Sequence, residues 1–317
     1  MIVTIAITRI FQGKKMKRIR FYNWLSITVV CILFTAVIGC SRKQEHLETP
    51  KRIISLAPSI TETLFALGLG ERVIGVTSYC TYPPQTKDIE KIGGYADANL
   101  EKIIALHPDL VVLSREHEKQ RLYLNRFGVS TLEVDNLTCA SVCSSFTLIG
   151  NRCGVTNISD SLIRLFHERL TQSTGSRPER PKVLFCVGRD NPGAGRIKSV
   201  VAAGSATFYN DLIEAAGGTN AFSDSTPAYP RLSPEGIVAI APDIVIDVAP
   251  AMGNYNCESF VADWLSMSRI PAVKSKKVYC IAKDYTTVPG PRMLLLLDDL
   301  RGIIAEAGAI DKSKGRL

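Results

Sequence analysis

The chain has 317 residues, 46% hydrophobic and 21% charged, which is long and apolar enough for two modest domains with a substantial core. Its formal charge of +8 comes mostly from residues 1–39, which hold six basic residues and no acid; the 32 basic residues that remain face 30 acids, leaving the rest near +2. That balance leaves no basic patch to argue for nucleic-acid binding, and an enzyme reading finds little support, since the sequence has no GxSxG, HExxH or GxxxxGKS/T pattern.

The basic residues Arg9, Lys14, Lys15, Lys17, Arg18 and Arg20 precede an apolar run from Leu25 to Ile38, and Gly39-Cys40 follows. A basic stretch, a short apolar stretch and a small residue describe a secretory signal. The run is shorter than the roughly 20 residues a spanning helix needs. Met16 opens a more ordinary signal than Met1, so the true start could be either. Val37-Ile38-Gly39-Cys40 resembles the bacterial lipoprotein box, in which the cysteine is acylated and anchors the protein without spanning the membrane. Residues 41–50 read as a polar tether.

From Arg52 the pattern alternates between strand-like and helix-like segments. Arg52–Leu56 reads as a strand, and Ser59–Gly68 as a helix with Ser59 as its cap and Glu62 completing a capping box. Strands are expected at Val73–Thr77, Leu110–Ser114 and Thr131–Asp135. Helices are expected at Asn99–Leu106, Glu116–Phe127 and Thr138–Ile149. Apolar residues from Asn157 to Thr174 recur with a helical period, and the Gly-Ser-Arg-Pro-Glu-Arg-Pro stretch at 175–181 breaks the chain. The scheme then repeats, with strands near Lys182–Gly188, 243–248 and 277–282. Its helices fall near Thr207–Ala216, Ser233–Ile240, Glu258–Met267 and Pro291–Ala307. Such alternation predicts an α/β fold with parallel sheets flanked by helices. The implied layout is a leader at 1–39, a tether at 40–50, an N-terminal lobe at 51–154, a connecting helix at 155–176 and a C-terminal lobe at 177–317.

One phrase occurs twice. Leu-Glu-Lys-Ile-Ile-Ala-Leu-His-Pro-Asp-Leu-Val-Val at 100–112 aligns with Pro-Glu-Gly-Ile-Val-Ala-Ile-Ala-Pro-Asp-Ile-Val-Ile at 234–246. Glu101/Glu235, Ile103/Ile237, Ala105/Ala239, Pro108/Pro242 and Asp109/Asp243 are identical in register, 134 residues apart. That spacing is too long for a solenoid. It suggests two similar lobes with a cleft between them. Glu101 and Glu235 each take the second position of a helix capped by Asn99 or Ser233, where the helix dipole stabilises a carboxylate by ~0.3–1 kcal/mol.

Tyrosines recur in loops expected at strand ends: Tyr79 and Tyr82, Tyr95, Tyr229 and Tyr285. Ligands of open α/β sheets bind outside the carboxyl ends of the strands, and tyrosine offers a flat apolar face with a hydroxyl. Loop packing accounts for any one of them; five flanked by Gly and Pro suggest a shared cleft. Gly193-Ala194-Gly195 lacks the phosphate-loop spacing and reads as a loop. His46, His107, His117 and His167 read as tether, turn or exposed helix positions. Beyond Cys31 and Cys40, seven cysteines remain. Cys186 and Cys280 sit in apolar strands as buried thiols, and one disulfide among Cys139, Cys143 and Cys153 is open. No cysteine–histidine spacing for a metal is present.

Arg52-Ile-Ile-Ser-Leu-Ala-Pro-Ser-Ile-Thr-Glu, the repeated phrase and the 157–174 helix together resemble the class III substrate-binding proteins of bacterial ABC importers, the family that serves vitamin B12, ferric siderophores and haem. The resemblance covers about residues 51–308. It implies two Rossmann-like lobes joined by one long helix, no catalytic residues, and a monomer anchored to a bacterial membrane and facing the periplasm or cell exterior. It also implies docking on an ABC permease dimer with its ATPase subunits through Glu101 and Glu235. Ser78-Tyr-Cys-Thr-Tyr-Pro-Pro-Gln85 is similar to the vitamin B12-binding branch, which implies a cobalt corrinoid as cargo and Tyr79 as a contact. The late loop Asp284-Tyr285-Thr286-Thr287-Val288 is a second implied contact. Tyr95, Tyr229 and Tyr285 stand where the familiar vitamin B12 binder has tryptophan. Arg292 is open between pairing with an acidic chelate and capping a helix. Ferric siderophore and haem are the alternative cargoes; an exported chelate-processing enzyme or a sensor is the rival class.

Overall fold

The computed structural model describes residues 48–172, 180–224, 226–250 and 255–314. The leader, Cys40 and most of the tether lie outside these. The chain from Thr49 onward is one compact unit, and among the described residues no helix is long and apolar enough to cross a membrane.

Its first half runs β1 (Ile53–Ser55), α1 (Pro58–Ala66), β2 (Val73–Val76), β3 (Glu90–Lys91), α2 (Leu100–Ala105), β4 (Leu110–Ser114), α3 (Glu118–Arg126), β5 (Thr131–Val134), α4 (Cys139–Cys153) and α5 (Thr156–Thr171). The five strands form one parallel sheet in the order β3-β2-β1-β4-β5. Burial on both faces explains why β1 and β4 are continuously apolar rather than alternating.

The second half runs β6 (Lys182–Arg189), β7 (Val200–Ala202), α6 (Phe208–Ala215), β8 (Thr219–Asn220), β9 (Arg231–Leu232), α7 (Pro234–Ile240), β10 (Ile244–Val248), α8 (Cys257–Trp264), α9 (Pro271–Lys274), β11 (Val278–Ile281) and α10 (Met293–Lys314). Its sheet has the order β11-β10-β6-β7-β9, with β8 also paired to β6. β11, β10, β6 and β8 are parallel, whereas β7 runs antiparallel to β6 on one side and to β9 on the other. These two strands, two or three residues long, are too short for a sequence period to reveal.

The repeated phrase has a structural cause. Asp109 Oδ2 accepts hydrogen bonds from the backbone N–H groups of Lys51 and Arg52 at 2.8 and 2.9 Å. Asp243 Oδ2 accepts one from Lys182 at 2.8 Å. Each Pro-Asp turn thus fastens the strand it begins (β4 or β10) to the first strand of its own sheet. The residues two before each Asp, His107 and Ala241, share a left-handed backbone, with φ of 45° and 51°.

α5 carries the chain from one sheet to the other, and α4 lies beside it. Phe146 of α4 and Phe166 of α5 meet edge to face at 5.2 Å. Gly150 lets the pair approach, since a Cβ there would come within 2.4 Å of Ser159 Oγ. Cys139, Val142, Cys143 and Phe146 of α4 belong to the core under the second sheet, whereas Ile149 and Cys153 belong to the first. The joint is therefore a helix pair anchored in both cores, stiffer than a lone connector.

Two cysteine expectations are corrected. Cys280 is not a buried thiol: it faces the start of α8 and is bonded to Cys257, with Cα atoms 5.5 Å apart. Cys139, Cys143 and Cys153 are free and buried. All three ride on one helix, each packed into apolar surroundings that push its thiol pKa up.

Candidate functional site

The carboxyl ends of β1 and β4 point the same way at the place where the strand order reverses, which is where open α/β sheets bind ligands. A cleft of about 670 Å³ lies there, closed on the other side by residues near the ends of β6 and β10 and by the segment after β11. The first half contributes Ala57, Pro58, Ser59, Ser114 and Asn136 from strand ends; the second contributes Val187, Val248, Pro250 and Val288.

Tyr79, Tyr82, Tyr95 and Tyr229 all line this cleft, with Asp284 and Arg292. The Tyr79–Tyr82 loop is pinned from below. The Thr61 hydroxyl donates to Cys80 Sγ at 3.1 Å, and Lys91 Nζ donates to the Cys80 carbonyl at 3.1 Å. Tyr95 follows a turn that needs glycine: Gly93 has φ 103°, and a Cβ there would lie 2.9 Å from the Asn99 nitrogen. Its hydroxyl bonds Ser114 Oγ at 3.1 Å and donates to Glu116 Oε2 at 3.4 Å. Tyr229 rests edge-on against buried Tyr209, 6.4 Å between rings. Burial first, and then the charge of Glu116 across the cleft, push the Tyr229 hydroxyl up to about 12.

Tyr285 and Thr286 are not on the cleft wall. The Tyr285 hydroxyl donates to Asp299 Oδ2 at 2.7 Å, on α10. Thr286 is buried, with its hydroxyl donating to the Lys283 carbonyl and its own carbonyl accepting from Tyr209. Both serve to brace the late loop, and Asp284, Thr287 and Val288 present it to the cleft.

Arg292 neither stands free nor caps a helix. Its Nη2 and Nε donate to the two carboxylate oxygens of Glu62 at 2.6 and 2.9 Å, and its Nη1 donates to Asp284 at 2.8 Å. The Tyr82 ring covers the guanidinium at 3.9 Å. This bidentate pair joins α1 of the first half to the head of α10 in the second, at the cleft floor. Burial raises the Glu62 carboxyl, partly offset by Arg292. Burial alone would lower Arg292, but Glu62 and Asp284 hold it up.

Glu62 is therefore not the capping-box partner of Ser59. α1 begins at Pro58 after Ala57 with no side-chain cap, and Ser59 Oγ instead accepts from Asn136 Nδ2 at 3.0 Å. His117 is not an exposed helix residue either. It is 1% exposed, tied by Nδ1 to the Ser114 hydroxyl and by Nε2 to the Tyr95 carbonyl, both at 2.8 Å. It supports the Tyr95 ring edge to face at 4.6 Å. The sequence reading missed Ser114, Arg115, Glu116 and Asn136; the strand-end rule applied to β4 and β5 would have found them.

Glu101 and Glu235 are both exposed at the second positions of α2 and α7. Asn99 accepts from the Lys102 N–H at 2.9 Å and Ser233 from the Gly236 N–H at 3.3 Å, so both helices are capped as expected. Among the described residues no group of three or more His, Cys, Asp or Glu is placed to hold a metal ion.

Two sheets that turn their strand ends toward one cleft, tied by a helical joint, define a class III substrate-binding protein. The chain belongs to the Periplasmic binding protein family, which it matches over residues 53–285. An ABC transporter substrate-binding lipoprotein of Bacillus subtilis, YvrC, is 31% identical over 264 residues, 79% of each chain. A vitamin B12-binding protein of Pectobacterium atrosepticum is 26% identical over 298 residues, 90% of this chain and 96% of that one. The apo haem-binding protein RhuT of Roseiflexus sp. RS-1 superposes with a TM-score of 0.67 at 27% identity, covering 81% of this chain and 98% of that one.

Proposed function

We propose that the chain captures a cobalt corrinoid between its two sheets and delivers it to an ABC permease dimer with its ATPase subunits. The observation that carries this reading is the tyrosine wall. Tyr79, Tyr82 and Tyr95 on one side and Tyr229 on the other offer flat apolar faces with hydroxyl edges, which suit a large planar chelate with a polar rim. The likeness to vitamin B12-binding proteins over nearly the whole chain supports it. Asp284 and Arg292 complete the floor, whereas Tyr285 and Thr286 act by holding the late loop. The α4–α5 pair anchored in both cores supports capture with little closure.

Delivery falls to Glu101 and Glu235, exposed at matched helix starts and suited to arginines of a two-fold partner. The chain is exported as a monomer, with residues 1–39 as signal, acylated Cys40 as anchor and residues 41–50 as tether. Lobes at 51–154 and 177–317 flank the 155–176 connector. A lipoprotein relative supports the anchor.

Haem is the second reading. Tyrosine is the one haem-iron ligand type among the described wall residues, and solved haem binders share the fold. Titration of the full-length chain in detergent with cyanocobalamin, haem and a ferric hydroxamate decides. Tight one-to-one binding of cyanocobalamin alone is expected, and binding of haem or the hydroxamate alone overturns the corrinoid reading. Glu101→Lys with Glu235→Lys should abolish uptake while leaving ligand affinity intact; unchanged uptake removes the docking role.

A further inference from the structure

The charge on the cleft wall carries information about the ligand's rim. Among the described lining residues, four carboxylates (Glu62, Glu116, Asp135, Asp284) face two guanidinium groups (Arg115, Arg292). Arg292 is committed to Glu62 and Asp284, and Arg115 lies 3.7 Å from Asp135. Glu116 has no ion-pair partner among the described residues. It is nonetheless held in place, two residues past the end of β4, by the hydroxyl of Tyr95. Burial works to raise its carboxyl, but bonds from its own N–H, Ser114 and Tyr95 outweigh that and keep it ionised. The cleft therefore carries an excess of negative charge, with Glu116 at the strand switch point and Tyr229 across from it.

We propose that Glu116 is a specificity residue. It accepts hydrogen bonds from a ligand rim of uncharged primary amides and repels a rim of carboxylates, so the cleft selects amide-rimmed metal macrocycles over acidic ones. The argument is one of charge and hydrogen-bond chemistry. An amide N–H meeting a carboxylate makes a charge-assisted hydrogen bond. A ligand carboxylate in the same place meets a like charge, with Arg292 already committed to Glu62 and Asp284 and only the 73% exposed Arg115 nearby to offset it, and discrimination against the wrong ligand is built from such repulsion. The proposal rests on the reading of this cleft as the capture site, and it gives a physical ground for preferring a corrinoid, whose rim is amide-rich, to haem, which carries two carboxylates.

The test compares cyanocobalamin with a monocarboxylate derivative in which one rim amide has been hydrolysed. Both are titrated at low salt into the full-length chain in detergent and into its Glu116→Gln and Glu116→Asp variants. The readout is the ratio of the two Kd values, whatever each variant does to cyanocobalamin binding itself. Wild type is expected to favour the amide form by roughly fivefold to tenfold, the scale of one like-charge contact at about 4 Å that is fully screened by water, as suits an exposed Glu116. Glu116→Gln should bring the ratio close to one, Glu116→Asp should keep most of it, and added salt should shrink it in wild type. An equal ratio in wild type and Glu116→Gln overturns the proposal, as would a loss of the ratio in Glu116→Asp that matches the glutamine variant. If neither corrinoid binds, the corrinoid reading fails by itself, and haem against its dimethyl ester becomes the deciding pair. Tighter binding of the ester in wild type, lost in Glu116→Gln, supports the role of Glu116; haem binding as tightly as the ester overturns it. A chain that binds none of the four overturns both.

Discussion

Two arginines in this molecule each hold two carboxylates beneath an aromatic ring, and they do different work. Arg189 lies wholly inside the second half. Its side chain is 1% exposed, with Asp247 at 3.0 Å, Asp263 at 2.8 Å and the Phe260 ring at 4.3 Å. Arg292 lies at the cleft floor with its side chain 13% exposed, holding Glu62 and Asp284 beneath Tyr82. The first cluster ties elements of one sheet together: Asp263 also accepts the N–H groups of Gly193 and Gly195, which fixes the glycine-rich loop. The second ties one half of the molecule to the other. The contrast shows that burial and chain connectivity, rather than the residue types, decide whether such a cluster supports a fold or shapes a site.

The largest effect should come from the interior cluster. Arg189→Ala leaves two carboxylates buried without a cation, which costs about 3–5 kcal/mol. Urea unfolding monitored by circular dichroism measures it. A loss below about 1 kcal/mol would mean that water reaches the cluster and that the contrast with Arg292 is not one of burial.

Next comes a pH effect confined to the same cluster. Asp247 Oδ1 is buried without a hydrogen-bond partner. Burial outweighs Arg189 and Trp264 and lifts the Asp247 carboxyl from 3.8 to about 6. Between those values the folded chain keeps a proton that the unfolded chain has lost, so this group's contribution to stability is present at low pH and declines as pH rises through about 6. Relative to Asp247→Asn, wild type should lose about 2–3 kcal/mol of unfolding free energy from pH 4 to pH 7, at roughly 1.4 kcal/mol per pKa unit. Parallel slopes for the two proteins would show that Asp247 is ionised throughout.

Arg292→Ala ranks third, at about 2 kcal/mol, because Glu62 is 3% exposed and loses a bidentate partner while water reaches the guanidinium side. A double-mutant cycle with Glu62→Gln isolates the pair. A coupling energy under about 0.5 kcal/mol would place the pair with ordinary surface bridges.

The legibility of these clusters in sequence follows from how far apart their members lie. The strands and the α2 and α7 caps were readable because period and capping are local, as in Leu110–Ser114, where the expected strand and β4 coincide. The repeated Pro-Asp was readable as a pattern, though its purpose emerges only when Asp109 meets Lys51 and Arg52 in space. Glu62 was misread because Ser59 and Glu62 have the spacing of a capping box, and nothing local says that Arg292, 230 residues away, takes the carboxylate instead. Tyr285 shows the opposite case. Its loop does reach the cleft, but the hydroxyl is drawn back by Asp299, a residue of α10 that a loop motif does not include. The pairing of Cys257 with Cys280 is likewise visible only in the geometry.

The smallest effect tests the outer arm of the cleft cluster. Asp284 is 47% exposed and touches Arg292 through a single oxygen, whereas Glu62 uses both of its own and is 2% exposed in its side chain. Solvent screens such a contact, so Asp284→Asn should change unfolding free energy by no more than about 0.5 kcal/mol. With Glu62 still accepting from Nε and Nη2 of the guanidinium, its position under Tyr82 should hold, and an asparagine can accept from Nη1. If Asp284→Asn instead costs as much as Arg292→Ala, the three residues act as one unit and the cleft floor depends on its exposed member. The two arginine clusters would then differ in where they sit but not in how they work.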